Sequence, residues 1–123
     1  MSNVLDSLDA QTPVIVKNIG DVEVMVLGLF LLPQERRQVR ASQARHIVAN
    51  LVSVRVAAVD RRTVDVRNNT PTAVSTYTAG WIMPGATVRD LPRWDYDLVT
   101  GAGALGLTVL QENGKWERVE EIW

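Results

Sequence analysis

Apolar residues alternate with polar ones from Thr12 to Lys17, fill Val22 to Leu32 with few breaks, and recur at helical spacing from Gln43 to Leu51. The alternation predicts a half-buried strand, Asn18 to Asp21 supplies turn residues, and Val22 to Leu32 is long enough for a full second strand, so this part reads as a hairpin. In that second strand Val22, Val24, Val26, Phe30 and Leu32 share one face while Met25, Leu27, Leu29 and Leu31 occupy the other, so both faces call for cover by protein. Pro33-Gln34-Glu35 turns the chain into a short strand ending at Val39, and Gln34, a residue with a side chain, points to a type I turn. Ser42 is placed to cap a helix from Gln43 to about Leu51, with Ala44, Ile47, Val48 and Leu51 along one face. Ser53 to Val59 returns to strand.

The order then comes round again after about fifty residues. Val14, Val16 and Lys17-Asn18 are echoed by Val64, Val66 and Arg67-Asn68; a long apolar strand with Gly28 is echoed by one with Gly80, and Pro33 by Pro84. In the second passage Pro84-Gly85 suits a type II turn, Asp90 is the candidate helix cap, Pro92 lies near the first helical turn, and Trp94, Leu98 and Val99 face inward. Gly101 to Gly106 releases the chain into a strand over Leu107 to Glu112. Asn113-Gly114 then predicts a type I′ turn, with Lys115 to Ile122 pairing back. The expected fold is therefore mainly β with two short helices, built from tandem duplicated hairpin-helix-strand modules that form a sandwich or barrel-like unit. Residues 1–11 are an N-terminal arm, 12–62 the first module and 63–123 the second with its C-terminal hairpin.

Composition changes this picture little. At 123 residues, with 46% apolar and 22% charged positions, the chain has the material for a core and none of the low-hydrophobicity signature of disorder. It has no cysteine, so thiolate chemistry and disulfides are excluded. A formal charge of −1 argues against nonspecific capture of nucleic acid or of an anionic membrane. The longest apolar run, Met25 to Leu32, is too short to span a bilayer, and Met1 to Gln11 has neither the basic start nor the apolar centre of a signal peptide, so a soluble, unprocessed product is expected. Eleven of the thirteen basic residues are Arg, and six of the seven aromatic residues lie at or after Tyr77, which loads the second module with side chains suited to core or interface.

No motif leads to catalysis. Gly101-Ala102-Gly103-Ala104-Leu105-Gly106 spells GxGxxG, with Glu120 and Glu121 beyond it, but the fingerprint must leave a strand and open a helix, and the segment after Gly106 is strand-like. Asp90, Asp95 and Asp97 suggest a hard-cation site, yet acids at a helix start are expected from capping and the helix dipole. His46, the only histidine, lies in the first predicted helix with no obvious carboxylate partner nearby in sequence. Arg36, Arg37, Arg40, Arg45, Arg61 and Arg62 lack the interleaved aromatics of single-strand binders and read as solvated faces or subunit salt bridges. Tyr77, Trp81, Trp94, Tyr96, Trp116 and Trp123 divide between core, intersubunit patch and sugar-stacking platform. No catalytic residue, cofactor or metal ligand is assigned.

The pattern V-x-V-x-N, long apolar strand with Gly, Pro-Gly or Pro-Gln-Glu turn, Val, then a short helix resembles the small β-rich modules of tailed-bacteriophage virion proteins. It is carried by VIVKNIGDVEVMVLGLFLLPQERRQVRASQARHIVANL and by VDVRNNTPTAVSTYTAGWIMPGATVRDL. Gln34 stands where the Pro-Gly turn has glycine, and STYTAG makes the second copy's strand more polar. The resemblance implies a non-enzymatic structural protein of the virion, a capsid decoration or auxiliary protein bound to the major capsid protein, in a symmetric homo-oligomer, often a trimer. It assigns the arm residues Val4 and Leu8, the strand residues Met25, Leu27, Leu29 and Leu31, and Trp81, Trp116 and Trp123 to contacts. A head-tail junction or tail component, and a β-rich carbohydrate-binding module using the aromatics, are the alternatives.

Overall fold

A computed structural model describes residues 4–104 and 106–119. After a 3-10 turn at Val4–Ser7, the chain order is β1 (Pro13–Asn18), β2 (Val24–Val26), β3 (Leu29–Leu31), β4 (Arg36–Arg40), α1 (Ala41–Asn50), β5 (Val54–Asp60), β6 (Thr63–Asn68), β7 (Val74–Ser75), β8 (Trp81–Ile82), β9 (Thr87–Pro92), α2 (Arg93–Gly101), β10 (Leu107–Asn113) and β11 (Trp116–Arg118). The protein is mainly β, with two helices and several antiparallel sheets. In place of one sandwich or barrel there are two compact units, each with its own apolar core. The chain up to Asp60 and the segment from Trp116 on form the first, and Arg61–Lys115 the second.

In the first unit the sheet order is β11-β5-β1-β4, all antiparallel. Val14 and Val16 of β1 are buried on one face, as the alternation predicts, and Asn18, expected in the turn, ends the strand buried on the same face. β1 does not pair with the apolar run after it; it pairs with β4 and β5. That run is itself a hairpin, because Leu27 and Gly28 reverse the chain with φ of 51° and 76°, the double positive φ of a type I′ turn. Gly28 bears this conformation without a Cβ penalty; Leu27 does not. The reversal reassigns the faces: Val24 pairs with Leu31 and Val26 with Leu29 toward the core, while Met25 pairs with Phe30 on the outside.

Helix α1 starts two residues earlier than predicted. Its first N–H groups are satisfied from the N-terminal segment, Ala41 N–H donating to the Thr12 carbonyl and Ser42 N–H to that of Ala10, while the Gln43 side chain accepts from Arg40 N–H. Ala41, Ala44 and Ile47 form the buried face. Segment 4–11 is not a loose arm. Leu5 and Leu8 sit in the core of this unit, and the Arg45 guanidinium donates to the carbonyls of Leu5 and Leu8 at the end of the 3-10 turn.

The second unit has the sheet order β10-β6-β9 and a β7–β8 ribbon. Asp90 is not a helix cap: it lies in a bulge of β9 with φ 57°, where its N–H donates to the buried Asp65 carboxylate. Pro92 precedes α2, whose buried residues are Trp94, Asp95 and Val99; Leu98, expected inside, is exposed. Asn113 ends β10 opposite Thr63 and has no positive φ, so no type I′ turn forms at Asn113-Gly114. The expected terminal hairpin is absent among the described residues. β11 instead lies against β5, with Trp116 opposite Asp60, and Val119 N–H donates to the Ala57 carbonyl.

Two turns close the ribbons. Pro33-Gln34 is a type II turn against expectation, with Gln34 at φ 68° and Glu35 N–H donating to the Leu32 carbonyl. Pro84-Gly85 is the type II turn expected, with Gly85 at φ 79° and Ala86 N–H donating to the Met83 carbonyl.

Candidate interaction surface

Two fully buried asparagines position the ribbons. Asn18 Nδ2 donates to the Val22 carbonyl at 2.9 Å and the Leu31 carbonyl at 3.2 Å, and its Oδ1 accepts from Gly20 N–H at 3.0 Å. Asn68 Nδ2 donates to the carbonyls of Thr72 and Ile82, both at 2.9 Å, and its Oδ1 accepts from Thr70 N–H at 2.9 Å. The backbones match as well: Asn18 N–H reaches the Glu35 carbonyl and its own carbonyl accepts from Gln34, just as Asn68 bonds Ala86 and Gly85. A carboxamide is the side chain that does this, because it offers donors and an acceptor from one planar group with no charge to bury.

The ribbon of the first unit carries apolar side chains outward: Val22 is 72% exposed, Met25 70%, Leu27 55%, Leu32 51% and Phe30 46%. Its base is held by Glu35, whose carboxylate accepts from Leu32 N–H at 2.9 Å and pairs with Arg37 at 2.5 Å. The Leu32 N–H bond first, then the Arg37 bond, keep the Glu35 carboxyl below the ordinary range. Arg37 also reaches the Phe30 carbonyl.

In the second unit Tyr77, Trp81, Met83, Leu98 and Leu110 are the large apolar or aromatic residues exposed among the described residues. The longer loop joining β7 to β8 is clamped by Asp95 in the first turn of α2, which is wholly buried and accepts from Tyr77 N–H at 3.0 Å, Thr78 N–H at 2.8 Å and the Thr78 hydroxyl at 2.7 Å. Beside this loop an open groove of about 710 Å³ is lined by Thr72, Ser75, Tyr77 and Leu98 among others, with no charged side chain in its wall.

The residues assigned to contacts from the sequence have divergent fates. Met25, Leu27 and Trp81 are exposed on the ribbons. Leu8 and Leu31 are buried and Val4 and Leu29 pack on the same core, so their apolar surface is already used within the first unit. Trp116 is half-buried on β11, and Trp123 lies outside the described residues. Val22, Phe30 and Leu32, in the apolar run whose two faces call for cover, are exposed, as is Met83, which the sequence does not single out; Gly28 within the run is the signal for the reversal that exposes Phe30.

The chemical candidates are scattered. Asp90 is in its bulge, Asp95 holds a loop and Asp97 bonds Arg93 at 3.1 Å, while His46 is exposed on α1. Among the described residues no group of three or more His, Asp or Glu side chains is placed to hold a metal ion. The GxGxxG stretch leaves a helix and leads into a strand, the reverse of the order a dinucleotide site uses, and its Leu105 lies outside the described residues, as do Glu120 and Glu121. Of the arginines, Arg45 and Arg37 are engaged within the first unit. No described helix is long and apolar enough to cross a membrane. No family model, no curated protein and no solved structure matches the chain.

Proposed function

We propose that the chain is a non-enzymatic structural protein of a tailed-bacteriophage virion, a capsid decoration or auxiliary protein that binds the major capsid protein and stabilises the head shell as a homo-oligomer. The observation that carries this reading is the outward apolar face of the β2–β3 ribbon, held by a buried asparagine and offered to solvent. An assembly protein works by burying such surface against many neighbours, and the largest apolar patch of a protein is often a functional one. The equivalent bonding of Asn18 and Asn68, and the shared strand orders β5-β1-β4 and β10-β6-β9, support the further reading that the two units are copies of one module. The resemblance to β-rich phage virion modules supplies the rest.

The test is to band particles of the encoding virus in a density gradient and probe heads and tails separately for this chain. Stoichiometric presence in heads is expected. Presence only in tails transfers the protein to the junction or tail reading, and absence from both overturns the proposal. A second reading, a carbohydrate-binding module, is favoured by Tyr77 and Trp81 standing exposed on one ribbon near an uncharged groove. Glycan-array binding that is lost in Trp81→Ala supports that reading in place of the first.

A further inference from the structure

We infer that the partner of the β2–β3 ribbon is a second copy of the same ribbon, joined to it face to face about a two-fold axis. The inference takes from the virion reading only that the chain assembles, and names the contact. It starts from Leu27. This residue occupies the first central position of a type I′ turn at φ 51°, where Asn, Asp or Gly is preferred and a side chain branched for packing is strained. It is also 55% exposed, so more than half of its surface stays in solvent despite the strain. A leucine held in this way is accounted for if its apolar tip is buried in the assembled state.

The surrounding face is arranged for a small contact of that kind. Together with Val22 just before β2, Met25, Leu27, Phe30 and Leu32 expose roughly 550 Å² of residue surface, short of the ~800 Å² that each partner gives to a standard interface. The same patch must serve both subunits in a two-fold contact. It does so here because Met25 and Phe30 are directly opposite each other on the two strands. With the axis between the ribbons and along the strands, Met25 of each copy lies over Phe30 of the other, a thioether on an aromatic ring. The nearby charges are balanced, Asp21, Glu23 and Glu35 against Lys17, Arg36 and Arg37, so two identical rims meet without net repulsion. A contact this small belongs to the weak, transient class of interfaces, so monomer and dimer are expected to exchange.

Sedimentation equilibrium and thermal melts on the full chain and three variants test it. Wild type is expected to pass from monomer to dimer as its concentration rises. Leu27→Asn is expected to raise the melting temperature of the monomer while weakening the dimer by at least about tenfold, because Asn suits the turn and removes the apolar tip. Met25→Ser combined with Phe30→Ser abolishes the dimer, and Trp81→Ser leaves it intact. A wild-type chain that stays monomeric throughout, or a dimer indifferent to Leu27→Asn and to the double variant, overturns the inference. So does a dimer lost with Trp81→Ser, which would mean a contact through the other ribbon. These outcomes separate from the virion reading: a monomeric chain found in heads refutes the ribbon contact alone, and a ribbon dimer absent from particles refutes the virion role alone.

Discussion

Replacing Asn68 with Ala gives the most direct measure of what holds a ribbon in place. The side chain makes bonds to the Thr72 and Ile82 carbonyls and accepts from Thr70 N–H and the Thr70 hydroxyl. Thr72 is exposed, so water takes over its carbonyl and the net loss there is about 1 kcal/mol; the Thr70 side of the loop loses a similar amount. The bond to the Ile82 carbonyl is buried, and leaving that acceptor dry costs about 1–3 kcal/mol. Together these give about 3–5 kcal/mol, a large share of the roughly 5–15 kcal/mol that holds an ordinary domain folded.

The assay is urea unfolding followed by tryptophan fluorescence, which reports on the second unit through the buried Trp94 beside Tyr77. The expected signature is a lower midpoint with an unchanged slope. Asn69→Ala is the control: Asn69 is exposed and, among the described residues, its side chain bonds Thr108 alone, so its effect should stay below about 1 kcal/mol. Asn68→Asp sharpens the test. It replaces the donor with oxygen facing two carbonyls, which raises the folded pKa of the new carboxyl above its unfolded value of about 3.9. A raised folded pKa means stability retained at low pH and lost as pH rises, so this variant should approach Asn68 in acid and fall away toward neutrality. An Asn68→Ala cost under about 1 kcal/mol, or an Asn68→Asp variant with no such pH dependence, refutes the bracket argument.

Gln34→Gly should stabilise the first unit by about 0.5–1 kcal/mol, since a type II turn wants glycine at φ 68° and the Gln34 side chain makes only a 3.4 Å bond to the Ile19 carbonyl; a thermal melt shifted downward would contradict this. Arg45→Ala removes the charged donor from the carbonyls of Leu5 and Leu8 and should cost about 2–3 kcal/mol, read as faster proteolysis within residues 4–11; an unchanged cleavage rate would oppose it. Glu35 has a depressed folded pKa because Leu32 N–H and Arg37 favour its charged form. Its contribution is therefore complete above the unfolded value of about 4.3 and is lost as pH falls through the folded one, so Glu35→Gln should flatten part of the acid limb of the stability curve.

Where sequence and structure agree, the reason is periodicity. Val14 and Val16 alternate because a half-buried strand has period two, and Ala44 and Ile47 repeat at helical spacing because one side of α1 meets the core. Where they part, the chain reverses or a residue finds a distant partner. A two-residue turn inside Val22 to Leu32 switches which parity faces inward, so Phe30 moves from the face of Val24 to that of Met25. Asn113-Gly114 has the letters of a hairpin, but Asn113 remains in register with Thr63, and β11 is claimed by β5 instead. Leu8 reads as part of an arm because its neighbours are polar; it is buried in the apolar core of the first unit, and Arg45, far along the chain, holds its carbonyl.

The two asparagines show the same limit from the other side. Asn18 and Asn68 are visible in the sequence as turn residues at matching places, and a turn residue is normally solvated. Their burial comes from partners on another strand, Leu31 and Ile82, that no local rule connects to them. Once those bonds are made, the ribbon cannot roll its other face to the core without stripping a buried amide, because the Leu31 and Ile82 carbonyls would turn away from it. The exposed face is thus fixed by the polar bracket as well as by the apolar core beneath. Loosening Asn18 should therefore weaken any contact made through Met25 and Phe30 even though Asn18 touches none of that surface.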